Sequence, residues 1–239
     1  MRLFLIFLFL FLFNLQKSYA LGQEYIIRAK DPIRPSAISD FLKINGLRLI
    51  KNFGHQNQFW LAYAKNRSFK ITKVKLAHVI KYIEPNYEIK LPPTIKTPSY
   101  NSNWAFKQIL ASQSWELHQG DAHFIVAIVD TGVDFNHSDL KNNIFSNPGE
   151  IANNGIDDDQ NGFVDDVHGF DFFNNTKNGM DDNGHGTHCA GIIGANGHLK
   201  GVNHFIKILP VKFLNQYGSG DVAKSIEAIN YAVNMGAKI

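Results

Sequence analysis

The hydrophobic pattern changes character twice along the chain. Arg2 precedes an unbroken run of Leu, Ile and Phe from Leu3 to Phe13, and Ser18-Tyr19-Ala20 follows with small-x-small order. That is the charged, apolar and cleavage-site order of an export leader over residues 1–20, and it predicts a mature protein that is secreted or periplasmic. The apolar run is well short of the roughly 20 residues that span a bilayer, so no stable membrane anchor is expected. Residues 21–91 then show short mixed segments. Glu24 to Ala29 predicts a strand, and Pro35 to Leu42 a helix with Ile38, Phe41 and Leu42 on one face. Phe59 to Ala64 and Val79 to Ile83 predict later elements of a small α+β unit. Three prolines between Pro92 and Pro98 mark residues 92–99 as an extended linker.

From about residue 100 the pattern becomes that of strands alternating with helices. Phe124 to Val129 is apolar without alternation, as suits a buried parallel strand, and Asp130-Thr131-Gly132 follows at once. A carboxylate therefore falls at the carboxyl end of that strand, where open α/β sheets place their active sites. Ile206 to Leu214 predicts a second strand. Val222, Ile226, Ile229 and Val233 share one face of an amphipathic helix that starts near Ser219-Gly220-Asp221 and ends near Gly236. Ala237-Lys238-Ile239 would open a further strand.

Composition adds little until charge is divided along the chain. The formal net charge of +3 over 239 residues separates into +2 for residues 1–20, +9 for 21–97 (14 bases, 5 acids) and −8 for 98–239 (8 bases, 16 acids). The basic segment lacks a recognisable motif of interleaved stacking aromatics, so no nucleic-acid partner is expected, and an acidic partner lies within the same chain. A single cysteine, Cys189, excludes an internal disulfide framework, and outside the cytoplasm it is expected to be buried.

The candidate chemistry concentrates in Asp181-Asp182-Asn183-Gly184-His185-Gly186-Thr187-His188-Cys189-Ala190-Gly191. His185 and His188 at i, i+3 are compatible with metal ligation, and His185 alone with a hydrogen-bonded histidine. A general base needs an imidazole at a helix start, glycines beside it for close approach, and a carboxylate on its other ring nitrogen; Asp130 can supply that carboxylate.

Taken together, Val129-Asp130-Thr131-Gly132-Val133-Asp134, His137-Ser138-Asp139-Leu140, the Gly184 to Gly191 block and Ile208-Leu209-Pro210-Val211-Lys212 resemble subtilisin-like serine peptidases in order and spacing. The resemblance implies a parallel-sheet α/β catalytic domain beginning near residue 100 and truncated at Ile239, with Asp130 as orienting carboxylate and His185 as general base. It implies a structural role for His188, a glycine-rich rim of the substrate groove at Gly218, Ser219 and Gly220, and peptide or protein substrates. Val79-Ile80-Lys81-Tyr82-Ile83-Glu84-Pro85-Asn86 looks like the closing strand of that family's ferredoxin-like inhibitory propeptide. Residues 21–91 would then be the enzyme's own intramolecular inhibitor, and the +9 and −8 charges would favour its docking and register.

Between the aspartate and histidine blocks, Asp157, Asp159 and Asn161 stand at alternate positions with Gly162 after them, as in loops that wrap oxygen ligands around Ca²⁺. The Phe163 carbonyl and Asp165 or Asp166 would continue the coordination; the alternative is a solvated acidic loop. Several subtilisin-like enzymes carry a similar calcium-binding insertion, though Gln160 stands where glycine is more usual. Cys189 stands four residues after His185, so the two side chains are expected to stack along one helix without facing each other across a substrate cleft, and Cys189 is expected to be a small buried helix residue.

No Gly-Thr-Ser-Met-Ala-like block, which the family uses for its nucleophile, occurs in residues 1–239. Two expectations follow. Either these residues are the N-terminal portion of a longer serine endopeptidase precursor, or they form an inactive fragment whose 21–91 unit acts as a peptidase inhibitor or folding aid.

Overall fold

A computed structural model describes residues 20–30, 34–54, 59–66, 68–93, 104–177 and 179–239. All of the expected leader except Ala20, and residues 94–99 of the expected linker, lie outside the described residues. The chain divides into two compact units, residues 1–89 and 90–239. Among the described residues no helix is long and apolar enough to cross a membrane.

In the first unit, strands β1 (Ala20–Ala29), β2 (Leu47–Asn52), β3 (Phe59–Ala64) and β4 (Ile80–Lys90) run antiparallel in the order β2-β3-β1-β4. Helix α1 (Pro35–Ile44) follows β1, and two single 3₁₀ turns, Ile71–Lys73 and Ala77–Val79, stand between β3 and β4. Proline at the first position presets the helical φ of α1. Its Ile38, Phe41 and Leu42 are buried against Ile27, Ala29, Ala62, Ala64 and Ile80. The helix ends at Gly46, whose φ of +67° reverses the chain while its N–H bonds to the Lys43 carbonyl. Strand β2 buries only Leu47, which is why no alternating pattern announces it.

The second unit opens with two short helices, α2 (Trp104–Gln108) and α3 (Ala111–Leu117). Strands β5 (Gly120–Asp130), β6 (Phe170–Asp171) and β7 (Phe205–Lys212) then form a parallel sheet in the order β5-β7-β6. At the free side of β5, Lys238 N–H donates to the Ile125 carbonyl at 2.9 Å and Ala127 N–H to the Ile239 carbonyl at 2.8 Å, so residues 238–239 lie along it. Helix α4 (His185–Gly194), strand β8 (Ser219–Asp221) and helix α5 (Val222–Asn234) complete the unit. Val126 and Ile128 of β5, Ile206 and Ile208 of β7 and Ala190 of α4 share one core with Val133, Leu140 and Ile144.

Two details position the functional loops. Strand β7 stops at Lys212 because the chain turns over the end of β5, where Phe213 and Leu214 N–H both donate to the Asp130 carbonyl. Helix α4 starts against the turn after β5 so closely that a methyl group at Gly186 would overlap the Gly132 carbonyl. The sequence-based face of α5 requires correction. Its buried stripe is Ala223, Ser225, Ala228, Tyr231 and Ala232, while Val233 is 57% exposed. Small residues let α5 approach the sheet, and a 2.6 Å hydrogen bond from the Tyr231 hydroxyl to Asp166 fixes its rotation.

Candidate active site

Asp130 ends β5 and His185 begins α4, so sheet and helix each present one side chain to the same point. His185 Nδ1 stands 2.8 Å from both carboxylate oxygens of Asp130. A carboxylate only accepts, so Nδ1 carries the proton and Nε2 is left as the basic nitrogen. Asp130 is largely covered (15% side-chain exposure), whereas 42% of the His185 side chain faces solvent. Asp130 Oδ1 also accepts from the Thr131 N–H at 2.6 Å, which restrains the carboxylate.

Further groups hold this arrangement. The buried Lys212 Nζ donates to the Thr131 and Leu214 carbonyls and to Asp182 Oδ1, each at 2.7 Å. Asn183 Nδ2 donates to the Gln216 carbonyl, tying the loop before His185 to the loop before Gly218. Gly218 adopts φ +70°, a conformation that disfavours a side chain, and Ser219 and Gly220 belong to β8. Within the second unit the Gly218 carbonyl accepts the N–H of Leu91 at 2.8 Å.

One expectation is corrected here, and one alternative finds no support. Cys189 is only partly buried, where burial is expected, while its Sγ lies 3.9 Å from His185 Nδ1, in keeping with the expected stacking of i and i+4 side chains on one helix face. Burial first, and then the charges of Asp130 and Asp181, push the thiol up to about 11, so it is a neutral neighbour of the pair. The alternative of a metal site on His185 and His188 gains no support: His188 is exposed, and the groups that converge with His185 are Asp130 and Cys189. A cavity of about 1040 Å³ lined by Phe106, Trp115, Asp134, His137, His188 and His198 borders the 181–184 loop but includes neither Asp130 nor His185.

The acidic loop is gathered differently from its sequence spacing. Carboxylate oxygens of Glu150, Asp159 and Asp166 converge within 4.8 Å of one another, so the structure retains Asp159 and Asp166 and adds Glu150. Glu150 Oε2 is buried without a hydrogen-bond partner. Asn147 Nδ2 is shared between Asp159 and Asp166, and so is Asn161 Nδ2. Asn161 thus offers the group its amide nitrogen, while its Oδ1 accepts the Phe163 N–H. The Asp157 carboxylate closes the loop by accepting from Asn161 and Gly162 N–H. Asp165 turns to Lys177 at 2.9 Å, and that ion pair holds its carboxyl below the usual range. The Phe163 ring packs edge-on against Phe170, Phe172 and Tyr231, anchoring the loop to the core. Gln160 takes φ +59°, the region that favours the glycine more usual there.

The model of the Subtilase family matches residues 121–239. Subtilisin-like protease 1 of Plasmodium vivax is 42% identical over 117 residues, covering 47% of this chain and 19% of that protein. The Thermophilic serine proteinase of Bacillus sp. (strain AK1) is 25% identical over 228 residues, covering 93% of this chain and 51% of its own length. The crystal structure of a mutant Epidermin Leader Peptide Processing Serine Protease from Staphylococcus aureus shares the fold, with TM-score 0.57 at 24% identity over 90% of this chain and 49% of that one. The chain therefore spans between a fifth and a half of these relatives. Through residues 121–239, the chain belongs to the subtilase family of serine peptidases.

Proposed function

We propose that residues 100–239 are the Asp- and His-bearing part of a secreted subtilisin-like serine endopeptidase, whose nucleophilic serine is not among the 239 residues. The observation that carries this reading is the 2.8 Å contact of His185 Nδ1 with the strand-end carboxylate of Asp130. In peptide-bond hydrolysis His185 Nε2 would take the proton of the attacking serine hydroxyl and return it to the leaving amine. Asp130 would hold the ring in the Nδ1–H tautomer and stabilise the imidazolium that forms. The exposed face of His185 leaves room for substrate. The Gly218 carbonyl, which accepts a backbone amide from Leu91, supports Gly218 to Gly220 as a rim that pairs with an extended peptide.

The first unit fits the propeptide reading. Its order β2-β3-β1-β4 with α1 after β1 is that of a ferredoxin-like sheet in which the second helix is reduced to the two 3₁₀ turns. Its excess of bases against the excess of acids in residues 98–239 supports self-inhibition assisted by charge. A structural Ca²⁺ is the third element of the reading. Glu150, Asp159 and Asp166 would hold it, and the unpartnered, buried Glu150 Oε2 is the oxygen a hard cation would satisfy.

The test is direct. The open reading frame is read past Ile239, and its full product is assayed on casein and for labelling by a fluorophosphonate. Continuation into a Gly-Thr-Ser block, with labelling and hydrolysis, supports the enzyme. A stop codon directly after Ile239, with no labelling, overturns it in favour of the inhibitor or folding aid.

A further inference from the structure

Helix α4 begins without a side-chain cap from its own N-cap residue, since Gly184 has no side chain and sits at φ +101°. Its first N–H groups still need acceptors: His185 N–H finds Asn183 Oδ1, Gly186 N–H the Thr131 hydroxyl, and Asp181, three residues ahead of Gly184, takes those of Gly184 and Thr187. Asp181 Oδ1 accepts from Gly184 N–H and Asn183 N–H, each at 2.9 Å, and from the Thr131 hydroxyl at 2.8 Å. Its Oδ2 accepts from Thr187 N–H at 2.9 Å and from the Thr187 hydroxyl at 2.6 Å. Five donors thus converge on one carboxylate, and they come from both halves of the site.

The two threonines make the connection directional. Thr131, fully buried and adjacent to Asp130, donates its hydroxyl proton to Asp181 and accepts the Gly186 N–H at 3.0 Å. Thr187, two residues after His185, donates to Asp181 and accepts the Asp134 N–H at 2.9 Å. The two residues that follow His185, Gly186 and Thr187, are therefore bonded to Thr131 and Asp134 of the segment that follows Asp130, through hydroxyls whose protons Asp181 orients, while Gly184 before it bonds to Asp181 directly. Burial pushes the Asp181 carboxyl upward, but the donors from Thr187, Gly184 and Asn183 outweigh it, and the group is held below the usual carboxylate range.

We propose that Asp181 is a positioning residue for the Asp130–His185 pair, acting through Thr131 and Thr187 to set the distance and orientation of the imidazole. The inference rests on the serine-peptidase reading of that pair, but it concerns the pair's geometry and is measurable without turnover. The readout is the downfield proton resonance of His185 Nδ1 in the 239-residue chain, assigned by its loss in Asp130→Asn. Asp181→Asn keeps the shape but turns an amide donor toward either Thr131 or Thr187. It is expected to speed exchange of that proton with water roughly tenfold, the scale of one lost hydrogen bond, while far-UV circular dichroism stays native. Thr131→Val, which keeps the volume and loses the hydroxyl, is expected to do the same, and Thr131→Ser to restore the parent behaviour. If Asp181→Asn fails to fold, the contrast between Thr131→Val and Thr131→Ser decides. A folded Asp181→Asn with unchanged exchange overturns the proposal, as does Thr131→Val behaving like Thr131→Ser. Absence of the resonance in the parent chain would overturn the pair and this proposal together.

Discussion

The segment between Asp130 and His185 contains two concentrations of carboxylates that meet their electrostatic needs in opposite ways. Around Asp181 one carboxylate receives five N–H and O–H donors, and Lys212 neutralises the adjacent Asp182. That site is complete with protein atoms alone. Around Glu150, Asp159 and Asp166 three carboxylates face one another and share two asparagine side-chain amides, the Tyr231 hydroxyl and the N–H groups of Asp158, Asp159 and Asn161, fewer donors per carboxylate than Asp181 receives. Two like charges at 4 Å repel by about 4 kcal/mol at an effective dielectric of 20, more than a shared neutral amide returns. The difference teaches that carboxylate density alone does not mark a metal site. The ratio of donors to carboxylates differs between the two, and on the proposed reading it separates a frame complete in itself from a loop suited to a cation.

The largest effect that would break this contrast lies in the frame. Lys212→Met removes the donor to two buried carbonyls and to Asp182, whose side chain is 45% exposed and can be rehydrated. The cost then comes from the carbonyls, and the 239-residue chain should lose roughly 2–4 kcal/mol in urea denaturation. A loss below about 0.5 kcal/mol, the range of an ordinary surface change, would show that the frame is not held this way.

Next in size is the cation itself. At a hundredfold excess over its dissociation constant, Ca²⁺ would stabilise the chain by about 2.7 kcal/mol, so EDTA should lower the melting temperature by roughly 5–10 °C and added Ca²⁺ restore it. In Asp166→Asn that response should shrink. An unchanged melting curve in EDTA removes the calcium site and leaves the loop as a solvated acidic segment.

The smallest effect concerns pH. Burial first, and then Asp166, raise the Tyr231 phenol above its ordinary value of 10.0. A raised folded value means that the stabilisation is fully present below that ordinary value. It falls as pH climbs above it, where the unfolded phenol ionises and the folded one does not. Stability should therefore decline above about pH 10 by an amount that Tyr231→Phe abolishes. Equal alkaline slopes for parent and variant would show that the hydroxyl is not held by the loop.

How much of this was legible beforehand depended on whether the information was local. Ile38, Phe41 and Leu42 announced α1 because a helix face is a spacing, and Phe59 to Ala64 announced β3 as a continuous apolar run. The Asp130 position followed from the same logic, a carboxylate directly after a buried strand. Strand β2 was silent because every residue after Leu47 is exposed, so neither face carries an apolar alternation. Helices α2 and α3 are short, and Trp104 and Leu117 on them and Ile109 and Leu110 in the turn between are exposed, so no apolar period marks them. Glu150 could not be found from the alternate spacing of Asp157, Asp159 and Asn161, because it enters from the preceding turn, where its Oε1 accepts the Asp158 and Asp159 N–H groups. Asp181 was visible as an acid beside His185, but the signal of its role, an acid three residues ahead of an uncapped helix start, becomes legible only once Gly184 is known to be that start.

The central claim is that His185, held by Asp130, is the general base of a serine peptidase. Casein hydrolysis by the full product of the reading frame, compared with His185→Ala at equal concentration of folded protein, tests it most directly. The account predicts a fall in kcat of roughly 10⁴ to 10⁶, with the variant no longer labelled by a fluorophosphonate at a measurable rate. Hydrolysis by His185→Ala at the parent rate would contradict it.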